Sequence, residues 1–122
     1  MSRFVVECPD VKIPSGTAVS NVIESEKIYD DAVAITLQAP GTLDAHTFVL
    51  EVDIQSDTAF AANPLWTPVF DFSKAANITL PAAGLAQVYQ NPSWKRFRIH
   101  DTTGNVAADR IWKMCKEIFI DR

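Results

Sequence analysis

The chain has 122 residues, 48% of them hydrophobic and 21% charged, with a net charge of −4. That length fits one domain with a core of its own, and the charge balance leaves no basic excess with which to hold nucleic acid. Cys8 and Cys115, near opposite ends, are too few for a disulfide framework and are expected as free thiols. They could meet only if the first and last strands are neighbours.

Met-Ser-Arg runs straight into Phe4, Val5 and Val6, and Glu7 ends the apolar run, unlike a secretory signal. No apolar stretch reaches the 18 or so residues of a membrane span. The expectation is a protein made and kept in a cytoplasm, or assembled there into something larger, with no membrane partner.

Residues 3–8, RFVVEC, read as a short strand stopped by Pro9, which has no backbone donor to give. Residues 1–16 as a whole have the look of an N-terminal arm. Pro14-Ser15-Gly16 signals a turn, and residues 17–25 alternate weakly, as an edge strand would. Residues 31–38 place Val33, Ile35 and Leu37 on one side and Ala32, Ala34 and Thr36 on the other.

The clearest pattern is His46 to Ser56. Phe48, Leu50, Val52 and Ile54 fall on one face, Thr47, Glu51, Asp53 and Gln55 on the other, and only Val49 breaks the polar side. This predicts a central strand, half buried and half wet. Eleven residues at about 3.3 Å each span roughly 36 Å, enough to cross a small sandwich.

Residues 57–65 lack a period and read as a loop. Residues 66–72, WTPVFDF, are aromatic but contain Pro68, so they suit an edge or bulged strand. Residues 77–80 suggest one more short strand, and residues 81–90 a single helical turn or, since Gly84 interrupts it, an irregular crossing. Residues 94–100 form a strand with Phe97 and Ile99 inward and Arg96, Arg98 and His100 outward. Residues 110–120 fit a strand with Trp112, Met114, Ile118 and Ile120 on one side. A helix competes there, but β-branched and aromatic residues dominate and no cap precedes the segment. Turn signals every 8–14 residues and about seven or eight short strands predict an all-β fold: an antiparallel sandwich, jelly-roll-like or a small barrel, in a single domain over residues 1–122.

Chemistry is hard to find along this chain. His100-Asp101 invites comparison with a catalytic pair, but strand neighbours point to opposite faces. Cys8, His46, His100 and Cys115 lack the short spacings of a zinc site. Asp30-Asp31 and Asp53 with Asp57 read as solvated turn carboxylates rather than calcium ligands. Asn77-Ile78-Thr79 matches a glycosylation sequon without a secretory context, and no glycine-rich phosphate loop is present. No cofactor, metal or catalytic residue is expected.

Lys95, Arg96 and Arg98 are the one local basic excess. Beside Trp94 they could grip a single strand of nucleic acid. In the simpler reading they lie on an exposed strand face and pair with Glu51 and Asp53 across strands. Contact with an acidic partner protein is a third option. Trp66, Trp94 and Trp112 with Tyr89 could line a sugar-binding face, though such residues are more often core or interface anchors.

The order of short motifs carries a resemblance. Asp31–Ile35 (DAVAI), Thr47–Asp57, Trp66–Phe70, the Ala/Pro segment Leu80–Leu85, Arg96–Ile99 and Ala107–Arg110 resemble, in that order, small accessory virion proteins of tailed bacteriophages. The likeness spans about residues 20–120, and RFVVECPDVKIP falls outside it. It implies a non-enzymatic virion structural protein assembled in the host cytoplasm. In particular it implies a capsid decoration (cement) protein held to the major capsid protein, other virion proteins and copies of itself. A tail, connector or baseplate component, or a carbohydrate-binding module, would be the alternatives. Arg3, Phe4, Phe60, Trp66, Trp94, Arg96 and Arg98 are the residues expected to make contact with partners.

Overall fold

The computed structural model describes residues 2–71 and 75–120. It is all-β, with ten strands and two short helices among those residues: β1 (Ser2–Ile13), β2 (Ile23–Glu24), α1 (Ser25–Ile28), β3 (Ala34–Gln38), β4 (Phe48–Asp53), α2 (Asp57–Ala62), β5 (Thr67–Pro68), β6 (Phe70–Asp71), β7 (Ala76–Asn77), β8 (Ala86–Gln90), β9 (Arg96–Asp101) and β10 (Arg110–Ile120). Two four-stranded antiparallel sheets, ordered β1-β10-β3-β8 and β2-β9-β4-β5, carry the fold, and β6 pairs with β7 in a small ribbon. With that ribbon set aside, the eight remaining strands run 1-8-3-6 in one sheet and 2-7-4-5 in the other. This is the strand order of a jelly roll, in which successive strands wrap from sheet to sheet.

The core lies between the sheets. Trp112 and Met114 of β10, Ile35 and Leu37 of β3, Leu50 of β4, and Phe97 and Ile99 of β9 are all buried there. The alternation of β3, β9 and β10 is read correctly from the sequence. The helix alternative for residues 110–120 fails because β10 is flanked on both sides: β1 pairs with it from Ser2↔Ile120 to Ile13↔Arg110, and β3 pairs with its middle.

Of the expected arm, residues 2–13 form β1, the longest strand among the described residues. The sequence hides this because Pro9 looks like a stop. Between Cys8↔Met114 and Val11↔Trp112 two residues of β1 oppose one of β10, a bulge that carries the strand past the proline. The bulge also flips the parity: Cys8 faces the core before it, Val11 and Ile13 after it. Cys8 and Cys115 are therefore on adjacent strands, yet they are one step out of register, Cys8 opposite Met114 and Cys115 opposite Glu7. Their side chains leave opposite faces of the sheet, and both thiols are free.

Two further expectations need correction. Residues 57–65 contain α2, a short helix whose N-terminus is capped by the Ser56 hydroxyl accepting from the Ala59 N–H at 3.2 Å. Residues 86–90, expected as irregular crossing, pair with the full length of β3 as β8. Gly84 ends the turn before that strand rather than breaking it: its φ is +74°, and its N–H donates to Pro40 O. The aromatic segment lies at an edge, as Pro68 suggests: β5 is the outermost strand of its sheet, β6 pairs with β7 in the ribbon, and residue 72 lies outside the described residues.

Candidate functional site

The central strand has its expected inner face but not its expected outer one. Phe48, Leu50 and Val52 face the core, but β4 ends at Asp53, so Ile54 is left 78% exposed. On the outer face Glu51 and Asp53 are buried, together with Arg96. The register places Glu51 directly opposite Arg98 and Asp53 opposite Arg96. Arg98 Nε donates to Glu51 Oε1 at 2.9 Å, and His100 Nδ1 lies 3.0 Å from Glu51 Oε2. Arg96 Nη1 donates to Gln55 O at 2.9 Å and to Asp53 Oδ1 at 3.3 Å, and its Nη2 reaches Asp57.

The chain that follows β4 folds back over this ladder. The Phe60 ring of α2 lies 4.3 Å from the Arg96 guanidinium, and Trp66 lies 4.5 Å from that of Arg98. The two rings meet edge to face at 5.5 Å. Cross-strand pairing of the arginines with Glu51 and Asp53 is as expected from the sequence; an exposed face is not, because α2 and the 63–66 segment roof it.

Asp53 holds the roof down. Its Oδ1 accepts from Gln55 N at 2.8 Å, and its Oδ2 from Gln55 Nε2 at 3.0 Å and Leu65 N at 2.7 Å. Burial works to raise its pKa. The Leu65 N–H, the two Gln55 donors and the Arg96 charge outweigh that and hold the carboxyl below its usual range.

The residues expected to contact partners fall into three separate places. Phe60, Trp66, Arg96 and Arg98 converge on the roofed ladder. Arg96 is 1% exposed and its guanidinium is committed inside the chain, so it is not a surface anchor. Trp94, just before β9, packs against the core on Phe97 and Tyr89, at 5.8 Å from each ring. It cannot stack a base beside the arginines. Arg3 and Phe4 lie on the other sheet, at the start of β1, where Arg3 Nε is 2.6 Å from Glu117. The aromatic platform fails in the same way: Trp66 is in the roof, Trp94 and Tyr89 flank the core, and Trp112 is fully buried.

The histidines also find partners that the sequence does not suggest. His46 Nδ1 sits 2.5 Å from Asp101 Oδ2, so Asp101 serves His46 rather than its neighbour His100. His46 lines a cleft of about 550 Å³ between the start of β4 and the 76–83 segment, with Asp44 and Trp112 also in its wall and Asp101 behind the imidazole. Every carboxylate there is satisfied. Asp101 Oδ1 accepts from the N–H groups of Thr103 and Gly104. Asp44 accepts from Ala107 N at 2.9 Å and from Arg110 Nε at 2.7 Å, which hold its pKa low. Among the described residues no three His, Cys, Asp or Glu side chains come together as a metal set.

The surface that sequence reasoning missed is the outer face of the β1-β10-β3-β8 sheet. Rows such as Glu7-Cys115-Thr36-Val88 and Lys113-Gln38-Ala86 cross it. No helix is built over it among the described residues, and a shallow groove of about 540 Å³ runs along it. The signal was the small and polar parity of residues 34–38, but without β8 recognised as a strand it had no neighbours to form a surface.

No family model, curated protein or solved structure matches this chain.

Proposed function

We propose that this chain is a non-enzymatic structural protein of a tailed-phage particle, a capsid decoration protein that stabilises the shell by contact with the major capsid protein and other virion proteins. The observation that carries the reading is the asymmetry of the two outer faces. One is closed by the chain's own aromatic roof and ion pairs. The other is a broad, open sheet face with Val88 48% exposed and Val5 67% exposed among neutral and oppositely charged groups. Such a mixed, rigid surface suits adhesion to another protein, since interfaces are about as apolar as the rest of a surface and rely on shape. The sequence resemblance over residues 20–120 points the same way, and jelly rolls recur in capsid and lectin domains, although fold alone never fixes function. A protein that binds the assembled shell and not its dissociated parts stabilises it by linkage.

Copy counting in purified particles tests this. A decoration protein is present in many stoichiometric copies, and stripping it lowers the heat tolerance of the shell. About six or twelve copies would place it in a tail or baseplate through the symmetry of those structures, and absence from particles ends the reading.

A surface variant follows. Val88→Glu is expected to change the stability of the isolated protein by no more than about 0.5 kcal/mol, as exposed positions do, while it lowers occupancy on particles. Unchanged occupancy would move the contact away from this face.

A further inference from the structure

The open sheet ends in an open edge. β1 is the outermost strand, and its two halves are treated differently. Around residues 10–12 the outer edge is sealed by Asn21: its N–H donates to Lys12 O at 3.3 Å, its Oδ1 accepts from Lys12 N at 2.8 Å, and its Nδ2 donates to Asp10 O at 3.1 Å. The bulge at Pro9-Asp10 further blunts that half. Residues 2–8 have neither lysine nor proline, and among the described residues no segment is bonded to the backbone of Arg3, Val5 or Glu7 along the outer edge. The other sheet edges are slight by comparison. β2 and β5 have two residues each, and β8 is flanked by the 78–79 segment, to which Tyr89 Oη donates at Thr79 O.

We infer that Ser2–Cys8 pairs antiparallel with the same segment of a second copy, about a two-fold axis at Val5, which joins two four-stranded sheets into one of eight. An antiparallel strand pair with a two-fold axis is self-complementary only if residues equidistant from the axis suit each other. Here they do. With Val5 opposite Val5, Phe4 lies opposite Val6, Arg3 opposite Glu7 and Ser2 opposite Cys8. Two opposite-charge pairs and three apolar ones result, counted over both copies. Arg3 and Glu7 share the outer face with Val5, at the distance where cross-strand charges interact. Arg3 Nε is 2.6 Å from Glu117 Oε1, and its side chain is 64% exposed, so the guanidinium is within reach of a second copy while it holds Glu117. Glu7 is exposed, and no ion pair among the described residues uses it. A shift of the axis to Phe4 sets Arg3 opposite Val5. A shift to Val6 brings Pro9, which has no N–H, into the ladder opposite Arg3. Only the Val5 axis matches the charges and leaves the proline outside. The inference stands on the strand edge alone and does not depend on the virion reading.

The test is the mass of the full chain in solution by sedimentation or light scattering, on the parent and two charge variants. The parent is expected as a dimer at roughly 100 µM. Glu7→Arg sets a second guanidinium opposite Arg3 and weakens the dimer about tenfold or more, with unchanged circular dichroism and melting. Arg3→Glu sets two carboxylates opposite each other and weakens it likewise. In a mixture of the two variants, a copy of one faces a copy of the other with opposite charges restored at both ends of the pairing, so a mixed dimer returns. A monomeric parent, a trimer or higher ring, or a dimer indifferent to Glu7→Arg would overturn the pairing. Failure of the mixture to associate, with both variants folded, would overturn the register.

Discussion

Asp53→Ala is expected to cost about 3–5 kcal/mol, the scale for breaking a buried ion pair from one side, and to lower the melting temperature by roughly 10–20 °C. The reason is the number of groups that one carboxylate serves. Its removal leaves the Leu65 N–H without an acceptor, frees both Gln55 donors, and deprives the buried Arg96 of its shielded counter-charge, with only the mostly exposed Asp57 and the Gln55 carbonyl remaining. Arg96→Met is expected to cost less, about 1–3 kcal/mol, because Asp53 keeps its three N–H donors and the methionine fills the slot under Phe60 with apolar atoms. The double variant costs less than the sum of the two singles, since they share one interaction. Urea titrations at neutral pH measure all three, and a larger loss for Arg96→Met than for Asp53→Ala would show that the arginine, not the carboxylate, organises the roof.

The same carboxyl predicts an acid dependence. Asp53 has a folded-state pKa below its unfolded value, so its contribution is fully present above the unfolded pKa of about 3.9 and is lost as pH falls through the lower folded value. Asp44, held by Ala107 N and Arg110, and Asp109, held by Ser15 N and Lys12, act in the same direction. Stability should therefore change little on their account from pH 7 to about pH 5 and drop below about pH 4. Asp53→Ala should flatten part of that drop; a parent whose stability is level down to about pH 3 would contradict the assignment.

Trp112 carries the second large effect. It is fully buried, meets Phe48 edge to face at 5.6 Å, and sits where β10 is clamped between β1 and β3. Trp112→Ala is expected to cost about 3–5 kcal/mol, since an indole-sized hole in a clamped strand cannot collapse. Trp112→Phe behaves differently. The indole Nε1 has no hydrogen-bond partner among the described residues, and a buried unpaired donor costs about 1–3 kcal/mol. Phenylalanine gives up packing volume but also removes that donor, so the net change is expected within about 1 kcal/mol. Midpoints of urea unfolding with an unchanged slope give the comparison. A phenylalanine variant as weak as the alanine one would mean that Nε1 has an acceptor in solution, such as a water in the adjoining cleft.

Local rules account for a good part of the molecule. The period-two patterns of residues 31–38, 94–100 and 110–120 place Ile35, Leu37, Phe97, Ile99, Trp112 and Met114 in the core, where they are found, because an alternating strand has only two faces to choose between. The same rule yields the all-β class and the antiparallel sandwich. It falls short wherever the outcome depends on residues far away in the chain. Glu51 and Asp53 look wet because they are charged. They are buried because Arg98 and Arg96, more than forty residues later, stand opposite them in register and because Phe60 and Trp66 close over the top.

Pro9 marks a strand end to any local reading, and only the partner strand β10 shows that a bulge carries β1 through it. Residues 86–90 carry little pattern of their own and become a strand because β3 offers an unpaired edge. In this chain side-chain alternation determined which residues turn toward a core. Tertiary pairing decided which of the two outer faces would be sealed and which left open, because satisfying a buried charge takes a partner that no local pattern supplies.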